Sequence, residues 1–267
     1  MNGDFLALLP KSPFAAAQAG GAHAPGLEGT TVFAFHCAAG VIVAGDHRAT
    51  SGNIVFSDRT EKILELDRHS LLGIAGSPAI AMEMARTLQT SFDFYRRSQL
   101  QPMSQPAKMR ALARLLHENL PATLQGFGLV SPIFAGVDGS AGGRPSIYFY
   151  DPLGAQFEAA SFAGSGSGAG SIKSVLHFLE QWGDPKPAAM PLEHAVTLAN
   201  QLLMTAAEFD TATGGVEPSR ADFATVKLLS TAGVRPIPFE EQARYWEARV
   251  GNFSRPHAAP ETQEVSP

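Results

Sequence analysis

Cysteine is nearly absent: Cys37 is the only one in 267 residues. An internal disulfide is therefore impossible, Cys-rich zinc patterns are excluded, and a reducing, cytoplasmic location is expected. Charge is scarce too, at 17% of residues, with 20 Lys and Arg against 25 Asp and Glu for a net charge of -5. That balance gives no electrostatic reason to gather phosphates. No Lys/Arg stripe is interleaved with aromatics, so nucleic acid is not an expected partner. Long apolar runs are missing as well. Pro, Gly or charge breaks each candidate before the roughly 18 to 20 residues of a membrane helix, so no membrane partner is expected. Near the N-terminus Phe5 to Leu9 is apolar and Ala15 to Ala17 imitates a signal-peptidase site. The only early charge is Asp4, however, and Pro10-Lys11 ends the run, which argues against secretion.

What is present is a globular composition, with 45% hydrophobic residues and length enough for a substantial core. Residues 1 to 29 are rich in Ala, Gly and Pro, have no sustained period, and read as an extension outside the core. At Thr30 the texture changes to β-rich runs, Thr30 to Cys37 and Val41 to Gly45, with a hairpin turn at Ala38-Ala39-Gly40. Lys62 to Leu66 and Ser70 to Ala75 form a second expected pair. From Pro78 the pattern is helical, with Ile80, Met84, Leu88, Ser91 and Phe92 near one face, and a second helix runs from Gln105 or Pro106 to about Leu120. Strands return at Pro132 to Val137, Ser146 to Tyr150 and Phe157 to Phe162. Helices then cover Ser167 to Trp182 and Pro191 to Glu208, and strands Ala224 to Ser230 and Val234 to Ile237 follow. Strands, two helices, strands, two helices, strands is not the alternation of a doubly wound sheet. It fits an α+β sandwich of two packed, mainly antiparallel sheets flanked by helix pairs. The tail beyond about residue 250 is poor in core formers and is expected to be mobile.

The most conspicuous local motif, Gly164-Ser165-Gly166-Ser167-Gly168-Ala169-Gly170, opens a helix after a strand, where backbone N–H groups can cradle a phosphate. It matches only the relaxed dinucleotide pattern and lacks a P-loop ending. A tight glycine turn that lets a helix approach the sheet is the better reading. The eight His residues show no paired spacing for a metal, and no Ser sits in a Gly-x-Ser-x-Gly elbow. Neither a metal nor a cofactor is expected.

More informative is an ordered set: Gly29-Thr30-Thr31-Val32, then Ala44-Gly45-Asp46-His47-Arg48-Ala49-Thr50, then Glu61-Lys62-Ile63, then Gly73-Ile74-Ala75-Gly76. Taken singly, an Asp that ends a strand or a Lys that begins one is usually half of a structural ion pair. Taken together, with Asp46 lying 16 residues beyond Thr30 and Lys62 another 16 beyond Asp46, the set resembles the active-site sequence of proteasome β subunits. These belong to the N-terminal nucleophile (Ntn) hydrolases. The resemblance runs from Thr30 to roughly Thr231 and includes Gly164-Ser165-Gly166-Ser167 and Asp210-Thr211-Ala212-Thr213-Gly214-Gly215.

The resemblance implies the four-layer αββα Ntn-hydrolase fold and a threonine endopeptidase. Residues 1–29 would be a propeptide removed by self-cleavage of Gly29-Thr30, residues 30–250 the catalytic domain and 251–267 a flexible tail. Thr30 would be the nucleophile and its freed α-amine the base. Lys62 would sit beside the hydroxyl, anchored by Asp46, and the Gly76 N–H would be the oxyanion donor. Ser165, Asp210 and Thr213 would hold the α-amine and a water, although Thr213 stands where Ser is commonest in the family. The specificity pocket would include Ala49, Thr60, Leu64, Ile74, Pro78 and Met82, a mostly apolar lining suited to cleavage after hydrophobic residues. Thr50 and Gly76 would grip the substrate backbone as an added strand. The implied partners are other β subunits in a heptameric ring, proteasome α subunits, an ATPase unfoldase cap and unfolded protein substrates. An HslV-like peptidase, a non-catalytic ring subunit and an Ntn amidohydrolase acting on a small amide are the alternatives.

Overall fold

A computed structural model describes residues 30–51, 54–125, 128–138, 143–220 and 222–250. The first hairpin, β1 (Thr31–Cys37) and β2 (Gly40–Gly45), forms the centre of the molecule. Both strands are apolar on both faces because both faces are covered. Phe33, Phe35, Ile42 and Ala44 point toward a helical layer, while Val32, Ala34, Val41 and Val43 point toward a second sheet. A small hairpin follows, β3 (Ala49–Ser51) and β4 (Ile54–Ser57), and then β5 (Ile63–Asp67) and β6 (Ser70–Gly73). Two helices and a short third come next: α1 (Pro78–Gln99), α2 (Gln105–Glu118) and α3 (Leu120–Leu124). Proline in the first turn of each costs no hydrogen bond, since those N–H groups have no partner within the helix.

The chain continues through β7 (Ile133–Gly136), β8 (Ser146–Tyr150), β9 (Gln156–Ala159) and β10 (Phe162–Gly166). Helices α4 (Ala169–Trp182) and α5 (Leu192–Phe209), strands β11 (Thr225–Ser230) and β12 (Gly233–Pro236), and helix α6 (Phe239–Arg249) complete it. One five-stranded sheet has the order β10-β1-β2-β11-β12 and the other β5-β6-β7-β8-β9. Every pairing is antiparallel. Three apolar clusters separate the layers: one between the first sheet and α4, α5 and α6, one between the sheets, and one between the second sheet and α1 and α2. This is the expected αββα sandwich, and the described helices contain no segment long and apolar enough to cross a membrane.

Two local expectations need correction. The run Phe157 to Phe162 is not one strand: the chain bends at residues 160–161 and passes from the second sheet to the first. Ala159 and Ala163 sit in the inter-sheet cluster on either side of that bend, and their small size lets the chain cross there. Ser91 faces solvent, its hydroxyl donating to Thr87 O, while Ala81 and Ala85 join Met84, Leu88 and Phe92 on the buried face of α1. The β3-β4 hairpin and α6 were not anticipated. Helix α6 is rich in charged residues and fully buries only Gln242 and Trp246. Trp246 joins the apolar cluster under α4 and α5, with Ala243, Tyr245 and Val250 packed against it, and a hydrogen-bond network adds a second anchor. Gln242 donates to Ala224 O and Ile237 O and accepts from Asn200 of α5, whose side-chain oxygen accepts from Ala224 N.

Candidate active site

Thr30 stands just before β1 and is 6% exposed. Its carbonyl accepts the Ser167 N–H at 3.2 Å, and β10 passes directly over it. Gly166 makes this crossing possible. It has a φ of +98°, and a Cβ there would lie 1.6 Å from Thr30 O. At Gly168 a Cβ would meet Thr213 Oγ1 at 2.4 Å and Thr31 Oγ1 at 2.8 Å. The glycine-rich stretch is thus a close-packed turn. The Gly168 N–H is spent on Thr31 Oγ1 at 3.0 Å, and side chains fill the space a phosphate would need.

Asp46 directly follows β2, is 3% exposed, and has both oxygens saturated. Oδ1 accepts from Lys62 Nζ at 2.6 Å and Thr31 N at 3.1 Å, and Oδ2 accepts from Gly214 N at 2.7 Å and Arg48 N at 3.1 Å. Lys62, just before β5 and 1% exposed, also donates to Arg48 O. Burial pulls the Lys62 ammonium below the usual lysine range, and the Asp46 carboxylate opposes that pull.

A second group gathers at the C-terminal end of α5. Thr213 Oγ1 donates to Asp210 Oδ2 at 2.6 Å, and Ala212 N donates to Oδ1 at 3.1 Å. Burial pushes the Asp210 carboxyl up, but hydrogen bonds from Ser167, Thr213 and the Ala212 N–H outweigh it and hold the group below the usual carboxylate range. The two groups touch. Thr213 Oγ1 lies 2.6 Å from Thr31 Oγ1, and the next residue, Gly214, donates its N–H to Asp46. Ser165 stands on β10 opposite Val32, and its hydroxyl donates to Ser131 O at 2.6 Å. Ser167 binds Asp210.

Gly76 forms a β-bridge with Val130. The bridge is closed by Ser77 N to Leu129 O and Ser131 N to Ala75 O, and in that antiparallel pattern Gly76 directs its own N–H away from the Val130 strand. Its φ is +101°, and a Cβ would lie 2.0 Å from Leu129 O. Among the expected pocket residues, Ile74 is buried in the cluster under α1, with Leu64 and Met82 packed against it. Ala49, Thr60 and Pro78 are half-buried. Thr50 is buried, and among the described residues its hydroxyl has no hydrogen-bond partner. Gly29 lies outside the described residues. Those residues contain no group of three or more His, Cys, Asp or Glu placed to hold a metal. A cavity of about 880 Å³ backs onto Asp46 and Gly214 from the side of His47, Val216 and Trp246.

A family model described as "Proteasome subunit" matches residues 27–217. The chain belongs to the proteasome subunit family. Its relatives include proteasome subunit beta 2 of Thermomonospora curvata, 38% identical over 224 residues that make up 84% of this chain and 77% of the relative. The proteasome β subunit of Acidothermus cellulolyticus is 36% identical over 78% of this chain and 71% of its own length. That of Acidimicrobium ferrooxidans is 34% identical over 92% and 88%. The chain is a proteasome subunit of the β kind and a hydrolase of the threonine-peptidase type. Sequence reasoning assigned no individual role to Thr31, Ser167 or Gly214, although each lies inside a stretch that carries the family resemblance.

Proposed function

We propose that this chain is a catalytic subunit whose nucleophile is Thr30, exposed as a free N-terminus when Gly29-Thr30 is cut and residues 1–29 leave. One residue then supplies two functions. The hydroxyl attacks, and the α-amine, of ordinary pKa about 7.7 to 8.0, accepts its proton. Thr30 Oγ bonds to the scissile carbonyl carbon, and the oxyanion that forms is met by the Gly76 N–H. The C–N bond then breaks as the leaving amine takes the proton from the Thr30 ammonium. Water, deprotonated by the same amine, hydrolyses the ester. Lys62, kept cationic by Asp46, favours negative charge developing on the hydroxyl. Asp210 and Thr213 steady the amine and the water. Ser165 keeps its proposed place here through its position on β10 opposite the start of β1.

The observation that carries this reading is the shared carboxylate. Asp46 accepts both the Lys62 ammonium and the backbone N–H of the residue that follows Thr30. A mere structural ion pair has no need to hold that particular amide.

Proteasome β subunits assemble into rings with α subunits. For this chain we propose a cytoplasmic, heptameric β ring, an ATPase unfoldase cap and unfolded proteins as substrates. Cleavage after hydrophobic residues follows from the apolar Leu64, Ile74 and Met82, and Thr50 and Gly76 hold the substrate backbone as an added strand. In particles co-expressed with α subunits, intact mass should find a chain beginning at Thr30. Thr30→Ala should keep its leader and lose peptidase activity entirely. Wild-type chain that assembles with residues 1–29 attached would instead mark a non-catalytic ring subunit.

A further inference from the structure

We propose that Thr31 is a positioning residue for the reaction. Its hydroxyl and its backbone N–H lock the peptide that carries the nucleophile to both halves of the site at once. The inference rests on the reading that Thr30 is the nucleophile.

The argument begins with the direction of the protons. An ionised carboxylate only accepts, so the 2.6 Å contact between Thr213 Oγ1 and Asp210 Oδ2 uses the one hydroxyl proton of Thr213. Thr213 Oγ1 must then accept in its other contact, the 2.6 Å approach to Thr31 Oγ1, and Thr31 must donate there. With its proton committed, Thr31 Oγ1 is left with lone pairs, one of which accepts the Gly168 N–H at 3.0 Å. The result is a one-way chain: Gly168 N–H to Thr31, Thr31 to Thr213, Thr213 to Asp210. Meanwhile the Thr31 N–H donates to Asp46 Oδ1, the oxygen that also holds Lys62.

Thr31 is thus a fully buried residue whose backbone N–H reaches the carboxylate anchoring the lysine and whose hydroxyl reaches the Asp210-Thr213 turn and the start of α4. The Thr30 carbonyl, between the two residues, is pinned by Ser167 N–H. Three constraints on one peptide unit leave the Thr30 hydroxyl and amine little freedom to turn from attack geometry. A threonine serves here because the hydroxyl must donate one bond and accept another while the methyl restricts χ1 and fills apolar space. Valine keeps the shape and loses both bonds, leaving the Gly168 N–H buried without a partner.

The test compares Thr31→Val, Thr31→Ser and Thr213→Val in the full chain co-expressed with α subunits, with kcat and KM measured on a fluorogenic peptide. Thr31→Val should lower kcat about 10- to 100-fold, with KM unchanged within about twofold because Thr31 does not touch substrate. Thr31→Ser should recover most of the loss. Adding Thr213→Val to Thr31→Val should cost less than the product of the single effects, because both remove the same hydroxyl contact. An unaltered kcat in Thr31→Val, a serine variant as poor as the valine variant, or multiplicative losses in the double variant would each overturn the proposal. Should Thr31→Val fail to assemble, Thr31→Ala, which also lacks the hydroxyl, decides in its place: near-wild-type kcat overturns the role of the hydroxyl, and a loss of about tenfold or more that Thr31→Ser does not share upholds it. Failure of the underlying reading looks different, since Thr30→Ala would then retain activity whatever Thr31 does.

Discussion

Asp46 shows how little chemical latitude one residue in this site has. Each carboxylate oxygen takes two donors, so an isosteric amide cannot substitute: whichever way it turns, its NH2 faces two N–H groups. Asp46→Asn should therefore assemble but turn over substrate at least about 100-fold more slowly, a loss of the size seen when a positioned electrostatic group is removed. Its pH dependence is a sharper readout. The Asp46 charge holds up a Lys62 pKa that burial depresses, so without it the ammonium loses its proton at lower pH. The alkaline limb of kcat should then move to lower pH in Asp46→Asn, as a pH-rate profile would show. At this scale the family resemblance carried by the ordered stretches was what brought Thr30, Asp46 and Lys62 forward together. It assigned Thr31 no role, because the value of a hydroxyl depends on what lies across from it, here Thr213, 182 residues away.

Among the elements, β10 and the turn into α4 decide whether the nucleophile can be held. The left-handed conformation at Gly166 and the contact of its Cα hydrogen face with the Thr30 carbonyl exclude any side chain. Gly166→Ala should lower stability by about 2 to 3 kcal/mol, as strain of this kind does, measured by chemical denaturation of the full chain. An Ala variant as stable as wild type would show that the crossing tolerates a shift. Most elements were legible, since β1, β2, β5 through β8 and α1, α2, α4 and α5 each carry a clear period or turn signal. Those that were not share a cause. Helix α6 owes much of its hold to Gln242, whose partners Asn200 and Ala224 come from elsewhere in the chain, and the break between β9 and β10 falls inside an unbroken β-like run whose two halves find partners in different sheets.

For the whole molecule, the layers must be tied as well as stacked. Asp67 at the end of β5 accepts from Lys108 Nζ of α2 at 2.5 Å, from Ser70 Oγ at 2.6 Å and from His69 N at 2.9 Å, and Lys108 lies over the Phe92 ring of α1. Burial raises the Asp67 carboxyl, but the Lys108, Ser70 and His69 hydrogen bonds more than compensate and hold it below the usual carboxylate range. A carboxylate depressed in the folded state stabilises the fold above the ordinary carboxylate pKa, and that contribution is lost as pH falls through the folded value. Asp67→Asn, which strands a buried lysine, should cost about 3 kcal/mol near neutral pH. The gap to wild type should narrow on acidification, as thermal unfolding between about pH 7 and pH 3 would reveal. Replacing Lys108 with Met in the same chain should recover much of the loss.

Local pattern and spacing along the chain were enough to determine a two-sheet sandwich, the strand ends that bear Asp46 and Lys62, and the threonine at the head of β1, because periodicity and short-range turn chemistry are written into neighbouring residues. Only the tertiary structure decided that Thr31 bonds to both Asp46 and Thr213, that Ser167 binds Asp210, and that β9 and β10 part company. Each of these depends on which distant atoms meet once both sheets and the helices around them have packed.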